Sequence, residues 1–507
     1  MGSVFAASAL GAAVSLLLAV GPAAAENPAK WPTGSWEQTT PEAVGFDSGK
    51  LADALSDIAS KVPHVHQILI ERHGQVFLDS TFYPYDAKRP HNLASVTKSV
   101  MTTLIAIAAE HGKLDLDQPA LSFFPDRKIA NRDARKERMT VRHLTGMSSG
   151  LDCVGEHDEP TLHQMNASPD WVQFTLDLKM AAEPGTTFSY CSPGMHLLSA
   201  ILTKATGMTA LDFARQNLFA PLGIREVVWP VDPQGFNHGW GDLFLYARDA
   251  AKIGYLWLNQ GQWDGAQIVS SAWVQQSARL QIKTNPNWND DYGYGWWVMT
   301  GDDIPQYAAV GRGGQRIGVF PSLDIVVITL GGGIEPGEVT DRIGAALISP
   351  DKPLPPNPDG GKKLTAVLGA LNDPPDPQPV KPLPPLAAGI SGRTYELKPN
   401  PMMLKSIRLD FGAKDTAQLA LAFTDAQPRS HVIGLDGVYR MSPGELGIPA
   451  GMRGSWENGH TFIAEYDGIA FIDAFDLRLD FKGGRVSFYA KDRTYERGVM
   501  IEGQSVP

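Results

Sequence analysis

Ser95-Val96-Thr97-Lys98 stands at the head of an uncharged, largely apolar run that continues through Val100, Met101, Leu104, Ile105 and Ala108. The spacing predicts a helix beginning at this word. Residues three apart on a helix lie one turn apart on the same face, so a Ser95 hydroxyl and a Lys98 amine would meet. The helix N-terminus adds partial positive charge and free amide donors, which favour an alkoxide and later an oxyanion. To act as a base near pH 7, Lys98 must lose roughly 3.4 pK units, about 4.6 kcal/mol of differential stabilisation. Burial among apolar neighbours can supply that shift. The plainer reading makes Ser95 a helix cap and Lys98 a solvated charge. Ser349-Pro350-Asp351-Lys352 repeats the spacing beside a Pro-rich stretch where no apolar helix follows.

Outward from this helix the pattern changes on both sides. Ser48 to Ser60 has helical spacing, and Gln67 to Leu69 and Val76 to Leu78 flank Arg72-His73-Gly74-Gln75 as strands flank a hairpin turn. Far along the chain, Gln306 to Val310 and Ile325 to Leu330 are short strand-like runs, and Gly337 to Ser349 is again helical. Strands near both ends of a helical middle predict an α+β unit, one sheet with helices on its faces and a helical subdomain between.

Two further words carry chemistry. Tyr190-Cys191-Ser192-Pro193-Gly194 puts a phenol and a hydroxyl two residues apart after the turn-rich Glu183-Pro184-Gly185-Thr186-Thr187, and a phenol beside a lysine can pass a proton to a leaving group. Gly311-Arg312-Gly313-Gly314-Gln315 is a glycine-dense strand edge, where a substrate can approach and a main-chain N–H can point at it. Taken alone, each reads as a turn or a bulge. Gly146-Met147-Ser148-Ser149-Gly150 matches G-x-S-x-G, but Arg142-His143-Leu144-Thr145 before it is not a buried strand, so Ser148 is not read as a nucleophile. His64-Val65-His66 resembles a ligand pair, yet no third ligand follows at metal spacing, and no metal or other cofactor is expected. His238, near Gly239-Trp240-Gly241-Asp242, is a candidate for the cleft wall.

In that order, Ser95-x-x-Lys98, Tyr190-x-Ser192 and Arg312-Gly313-Gly314 resemble the motifs of the serine β-lactamase and penicillin-binding-protein superfamily. The nearer likeness is to its class C-like branch of esterases, D-aminopeptidases and aminohexanoate-dimer hydrolases. His143 to Leu151 (HLTGMSSGL) and Tyr292 to Trp297 (YGYGWW) add to it, and it spans roughly Val44 to Ile348. The resemblance implies a β-lactamase-like antiparallel sheet flanked by helices and a covalent acyl-enzyme. Ser95 would attack the carbonyl, Lys98 and Tyr190 would exchange the proton, and Ser192 would help relay it. The backbone N–H groups of Ser95 and Gln315 would hold the oxyanion. Ser192 and Arg312 depart from the usual Y-x-N and K-T-G words, which puts true β-lactamase activity in doubt. Arg312, with Gly313 and Gly314, either anchors a substrate carboxylate or is a solvated edge charge. The substrate is expected to be a small ester, amide or peptide. A D,D-peptidase or β-lactamase, and a catalytically silent sensor of the same fold, are the alternatives.

The chain ends complete the organisation. Of 507 residues, 43% are hydrophobic and 20% charged, with a net charge of −11, which is globular chemistry without the basic face that nucleic acid needs. Residues 1–25 read as a signal peptide, with Ala23-Ala24-Ala25 as a cleavage site, although the uncharged stretch is just long enough to remain as an anchor. The expected location is periplasmic or secreted, with no other membrane span. Cys153 and Cys191 are the only cysteines, and in an oxidising compartment such a pair is expected to be bridged rather than two buried thiols. A hydrolase domain over residues 31–350 is followed by a Pro-rich linker, 351–385, which holds one helical patch (KKLTAVLGAL). Residues 386–507 alternate with period 2, as in Phe475 to Phe481, and Lys482-Gly483-Gly484-Arg485 reads as a hairpin turn. The expectation there is an antiparallel β-sandwich or barrel that walls the cleft or binds a partner.

Overall fold

The computed structural model describes residues 30–506 apart from 156–158, 285–289, 425 and 496. The expected signal segment, 1–25, lies outside them. Arg72 faces Gln75 across a two-residue turn in which His73 (φ 54°) and Gly74 (φ 76°) are both left-handed, the geometry a tight hairpin demands. Val65–Arg72 and Gln75–Thr81 thereby start an eight-stranded sheet. Ile325–Gly331, Gln315–Phe320, Gln306–Gly311, Trp297–Met299 and Asp291–Tyr292 continue it beyond the 65–72 strand. All pairings are antiparallel except that of Glu37–Gln38 at the opposite edge.

Each face of this sheet buries its own core. On one face, Ala247–Leu258 packs so closely that a Cβ on Gly254 would stand 2.5 Å from Val326 Cγ1. Behind it lies Val96–Glu110, in which every residue from Val96 to Ala108 is buried, together with Ser192–Thr206 and the other helices inserted between the 75–81 and 291–292 strands. On the opposite face, Ser48–Lys61, Pro336–Gly344 and Pro358–Asn372 cover Ile68, Ile70, Leu78 and Val327. The third of these helices belongs to the stretch expected as a linker. Leu364 is buried in that core, with Val367, Leu368 and Leu371 against it. Its prolines do not break it, because Pro358 sits in the first turn, where a missing N–H costs nothing. After Asn372 the chain runs exposed from 373 to 379.

The C-terminal unit resolves to a barrel. Nine strands from Thr394–Leu397 to Arg497–Ser505 form a ring that closes where Gly434 pairs with Arg453, and Arg440–Ser442 adds a tenth strand at the side. Lys482 faces Arg485 across Gly483 (φ 56°) and Gly484 (φ 77°), the hairpin turn expected there. Among the described residues no helix is long and apolar enough to cross a membrane.

Candidate active site

The Ser95 helix begins where the sequence places it. Ser95 is the capping residue of Val96–Glu110, and Lys98, one turn on, is 1% exposed. Its Nζ donates to Ser95 Oγ at 2.7 Å and to the Trp240 carbonyl at 2.7 Å. Burial pulls the Lys98 ammonium down to about 8, with the Glu159 and Asp242 carboxylates opposing the shift. Tyr190 completes the group. Its hydroxyl hydrogen-bonds the Ser95 side chain, and its ring lies 4.7 Å from Lys98 Nζ. Burial pushes the phenol well above its ordinary value, and Glu159 and Tyr292 add to the rise. Trp297 stacks on the Tyr190 ring at 6.0 Å.

Two constraints hold Tyr190 in place. Cys191, the next residue, is disulfide-bonded to Cys153. The Gly155 backbone also lies so close that a Cβ there would fall 1.6 Å from the Tyr190 carbonyl oxygen. On the other side, the glycine-rich edge meets the serine. A Cβ on Gly311 would stand 2.4 Å from the Leu93 carbonyl and 3.0 Å from the Ser95 nitrogen, so the end of the 306–311 strand abuts the nucleophile's own amide. Gly311 pairs with Gln315 across Arg312, Gly313 and Gly314. Gly313 (φ 85°) and Gly314 (φ 90°) are left-handed, and at Gly314 a Cβ would also strike Ile334 at 2.2 Å. Gln315 is fully buried, its amide bonded to both the N–H and the carbonyl of Gly331, which fixes the strand that carries its backbone.

Two expected site residues turn elsewhere. Ser192 opens the helix Ser192–Thr206 and donates its hydroxyl to the Glu159 carboxylate. Arg312, expected as a carboxylate anchor or a solvated edge charge, lies partly exposed against the barrel. Its guanidinium bonds Thr494 Oγ1, lies 3.6 Å from Asp473 and covers the Tyr495 ring at 4.3 Å, and all three are barrel residues. Ser148 follows the short helix Val141–Thr145 rather than a strand, with its Oγ 3.4 Å from the His143 carbonyl. His238 stacks on Trp240 and bonds Asp242 at 3.0 Å, so it braces the loop whose carbonyl receives Lys98.

The residues that sequence reasoning missed are Glu159 and Asp467. No motif marks Glu159, which lies 33 residues from its partner Ser192. Asp467, from the barrel, faces both His64 (3.1 Å) and His66 (3.2 Å). Burial works against its charge, but the two imidazoles overcome it and hold the carboxyl far below the usual range. His66 Nδ1 lies 2.8 Å from His91 Nε2, and His91 Nδ1 lies 2.7 Å from the Asn92 carbonyl. A carbonyl only accepts, so His91 carries its proton on Nδ1 and receives one from His66. Asn92 in turn holds the Ala94 N–H at 2.7 Å, one residue before Ser95. The histidine pair is thus a joint between the barrel and the serine loop.

Comparison with known proteins gives the chain a family and a fold. The sequence profile of the Beta-lactamase family matches residues 65–343. A 6-aminohexanoate-dimer hydrolase from Paenarthrobacter ureafaciens is 24% identical over 306 residues, covering 54% of this chain and 77% of that protein. Among solved structures, a Bacillus anthracis protein provisionally named a 6-aminohexanoate-dimer hydrolase superposes with a TM-score of 0.54. It is 18% identical and covers 66% of this chain and 91% of its own. An octameric penicillin-binding protein homologue from Pyrococcus abyssi superposes with a TM-score of 0.50 at 19% identity. That match covers 90% of this chain and 100% of the other.

Proposed function

Because the chain belongs to the Beta-lactamase family over more than half its length, we propose that it is an exported serine hydrolase cleaving an ester or amide through an acyl-enzyme on Ser95. The observation that carries this reading is the 2.7 Å contact between Ser95 Oγ and a buried Lys98 whose ammonium is drawn down to about 8. About a tenth of such lysines are neutral at pH 7, with a lone pair free to take the serine proton.

Ser95 Oγ bonds to the substrate carbonyl carbon as Lys98 takes its proton, and the carbonyl oxygen becomes an oxyanion facing the Ser95 and Gln315 N–H groups. Tyr190, kept protonated by its raised pKa, gives its proton to the leaving group as the scissile bond breaks, and Lys98 returns one to the phenolate. Water then attacks the acyl-enzyme, loses a proton by the same route and frees Ser95. Glu159 acts through its field on Lys98. The tie of Arg312 to Asp473 favours a substrate without a carboxylate at that edge over a β-lactam or D,D-peptide. The Cys153–Cys191 disulfide supports the export part, since such bonds persist in oxidising compartments.

The test is intact mass after treatment with a fluorophosphonate or a fluorescent penicillin, beside Ser95→Ala and Ser148→Ala. We expect fluorophosphonate labelling that disappears only in Ser95→Ala. Labelling that survives Ser95→Ala, or none in the wild type, would overturn the assignment. Stable penicillin labelling would instead favour the peptidase alternative.

A further inference from the structure

The barrel is solid at one end and hollow at the other. Phe411, Trp456, Phe462 and Phe481 fill the solid end, their ring centroids 5.5 to 6.3 Å apart in successive contacts. Along the 474–482 strand, Phe475, Leu477, Leu479 and Phe481 fall on one face by even steps, and Leu477, Leu479 and Phe481 belong to the barrel core. Phe475 and Leu477, with Leu421 and Phe423 from the 416–423 strand, line a cavity of about 280 Å³.

One polar side chain in that lining is incompletely satisfied. His431 is 2% exposed, and its Nδ1 is buried with no hydrogen-bond partner among the described residues. Burial and the neighbouring Arg429 hold the imidazole below its ordinary value, which favours the neutral form, and a neutral imidazole can carry its proton on Nδ1. A buried polar atom left unpaired is costly, and native proteins keep few without a reason. Arg429, two residues earlier on the same strand, also lines the cavity, with its guanidinium over the Phe423 ring at 5.2 Å.

We propose that the hollow end of the barrel is a second binding site, for a medium-chain aliphatic carboxylic acid. The chain lies among Leu421, Phe423, Phe475 and Leu477, and the carboxylate accepts from His431 Nδ1 and faces Arg429. The volume limits the ligand to roughly ten to twelve heavy atoms, at the small end of pockets that hold organic ligands. Phe471 and Asp473 form part of the same lining while packing on Phe244 (5.3 Å) and facing Arg312 (3.6 Å) of the hydrolase unit. The site is therefore built into the joint between the units, yet no residue of its lining is among Ser95, Lys98 and Tyr190.

Isothermal titration of the full-length protein with hexanoate, octanoate and decanoate, each below its micelle concentration, tests this. The wild type and Ser95→Ala should each take up one equivalent of decanoate, with affinity rising roughly fourfold per methylene. Leu421→Trp, which fills the cavity, should weaken decanoate at least tenfold. His431→Leu should weaken decanoate at least fivefold and leave decanol within twofold, and it carries the test alone if Leu421→Trp does not fold. Absence of saturable uptake by the wild type would overturn the proposal. So would uptake that is lost in Ser95→Ala and indifferent to His431→Leu.

Discussion

Lys98 and Lys136 are both buried lysines in the hydrolase unit, and burial lowers the pKa of each. They differ in what receives the amine. Lys136 Nζ reaches three carbonyls, those of Ala130 (3.1 Å), Leu176 (2.8 Å) and Leu178. An ammonium has three donors, so this set is full and favours the charged form, and Lys136 acts as a knot tying the 130–138 segment to the end of Trp171–Asp177. Lys98 meets one carbonyl and one hydroxyl. A hydroxyl can donate as readily as it accepts, so the second contact survives loss of the lysine proton with its direction reversed. Burial alone therefore does not mark a base. A buried amine facing a group that can give it a proton does.

That contrast can be broken in several ways. The largest effect expected is on turnover: Lys98→Met should lower kcat by about 10³-fold or more while the thermal midpoint stays near that of the wild type, and Lys136→Met should leave turnover per folded molecule within threefold. Stability should respond in the opposite sense. Lys136→Met strands three buried carbonyls and should cost about 3 kcal/mol, read as a lower urea midpoint at unchanged slope.

Titration sharpens the comparison. Lys98 falls from 10.5 to about 8 on folding, so between those values the unfolded chain holds more protons than the folded one. Stability of the wild type relative to Lys98→Met should be flat below pH 8 and rise by up to about 3 kcal/mol between pH 8 and 10.5. A difference that falls with pH would contradict the burial argument. The smallest effect concerns Glu159, whose charge raises the Lys98 pKa. Glu159→Gln should move the alkaline rise in kcat/KM to lower pH by less than about one unit, and a shift to higher pH would count against the placement of that carboxylate.

Much of this was legible before the structure because it is local. The Ser95 to Lys98 spacing, the turns at His73-Gly74 and Gly483-Gly484, and the alternation of Phe475 to Phe481 each depend on a few neighbouring residues. Alternation says that a strand has one buried face but not whether the sheet closes, and the closing contact, Gly434 with Arg453, is set by tertiary packing. The partners of Arg312 and of His64 and His66 lie more than 150 residues away in the barrel. No spacing rule reaches that far. The helix Pro358–Asn372 was legible as a helical patch, but its role was hidden by the prolines on either side.

The position of that helix also sets where the chain can be cut. A protease acting within the exposed residues 373–379 would sever the backbone between hydrolase and barrel and leave Leu364, Val367 and Leu371 on the Ser48–Lys61 helix. A nick at 351–357 divides the chain inside a cooperative unit, separating the Ser48–Lys61 helix from the segment that covers it. Limited digestion should therefore yield a hydrolase fragment that ends beyond Asn372, longer by one helix than the boundary at residue 350.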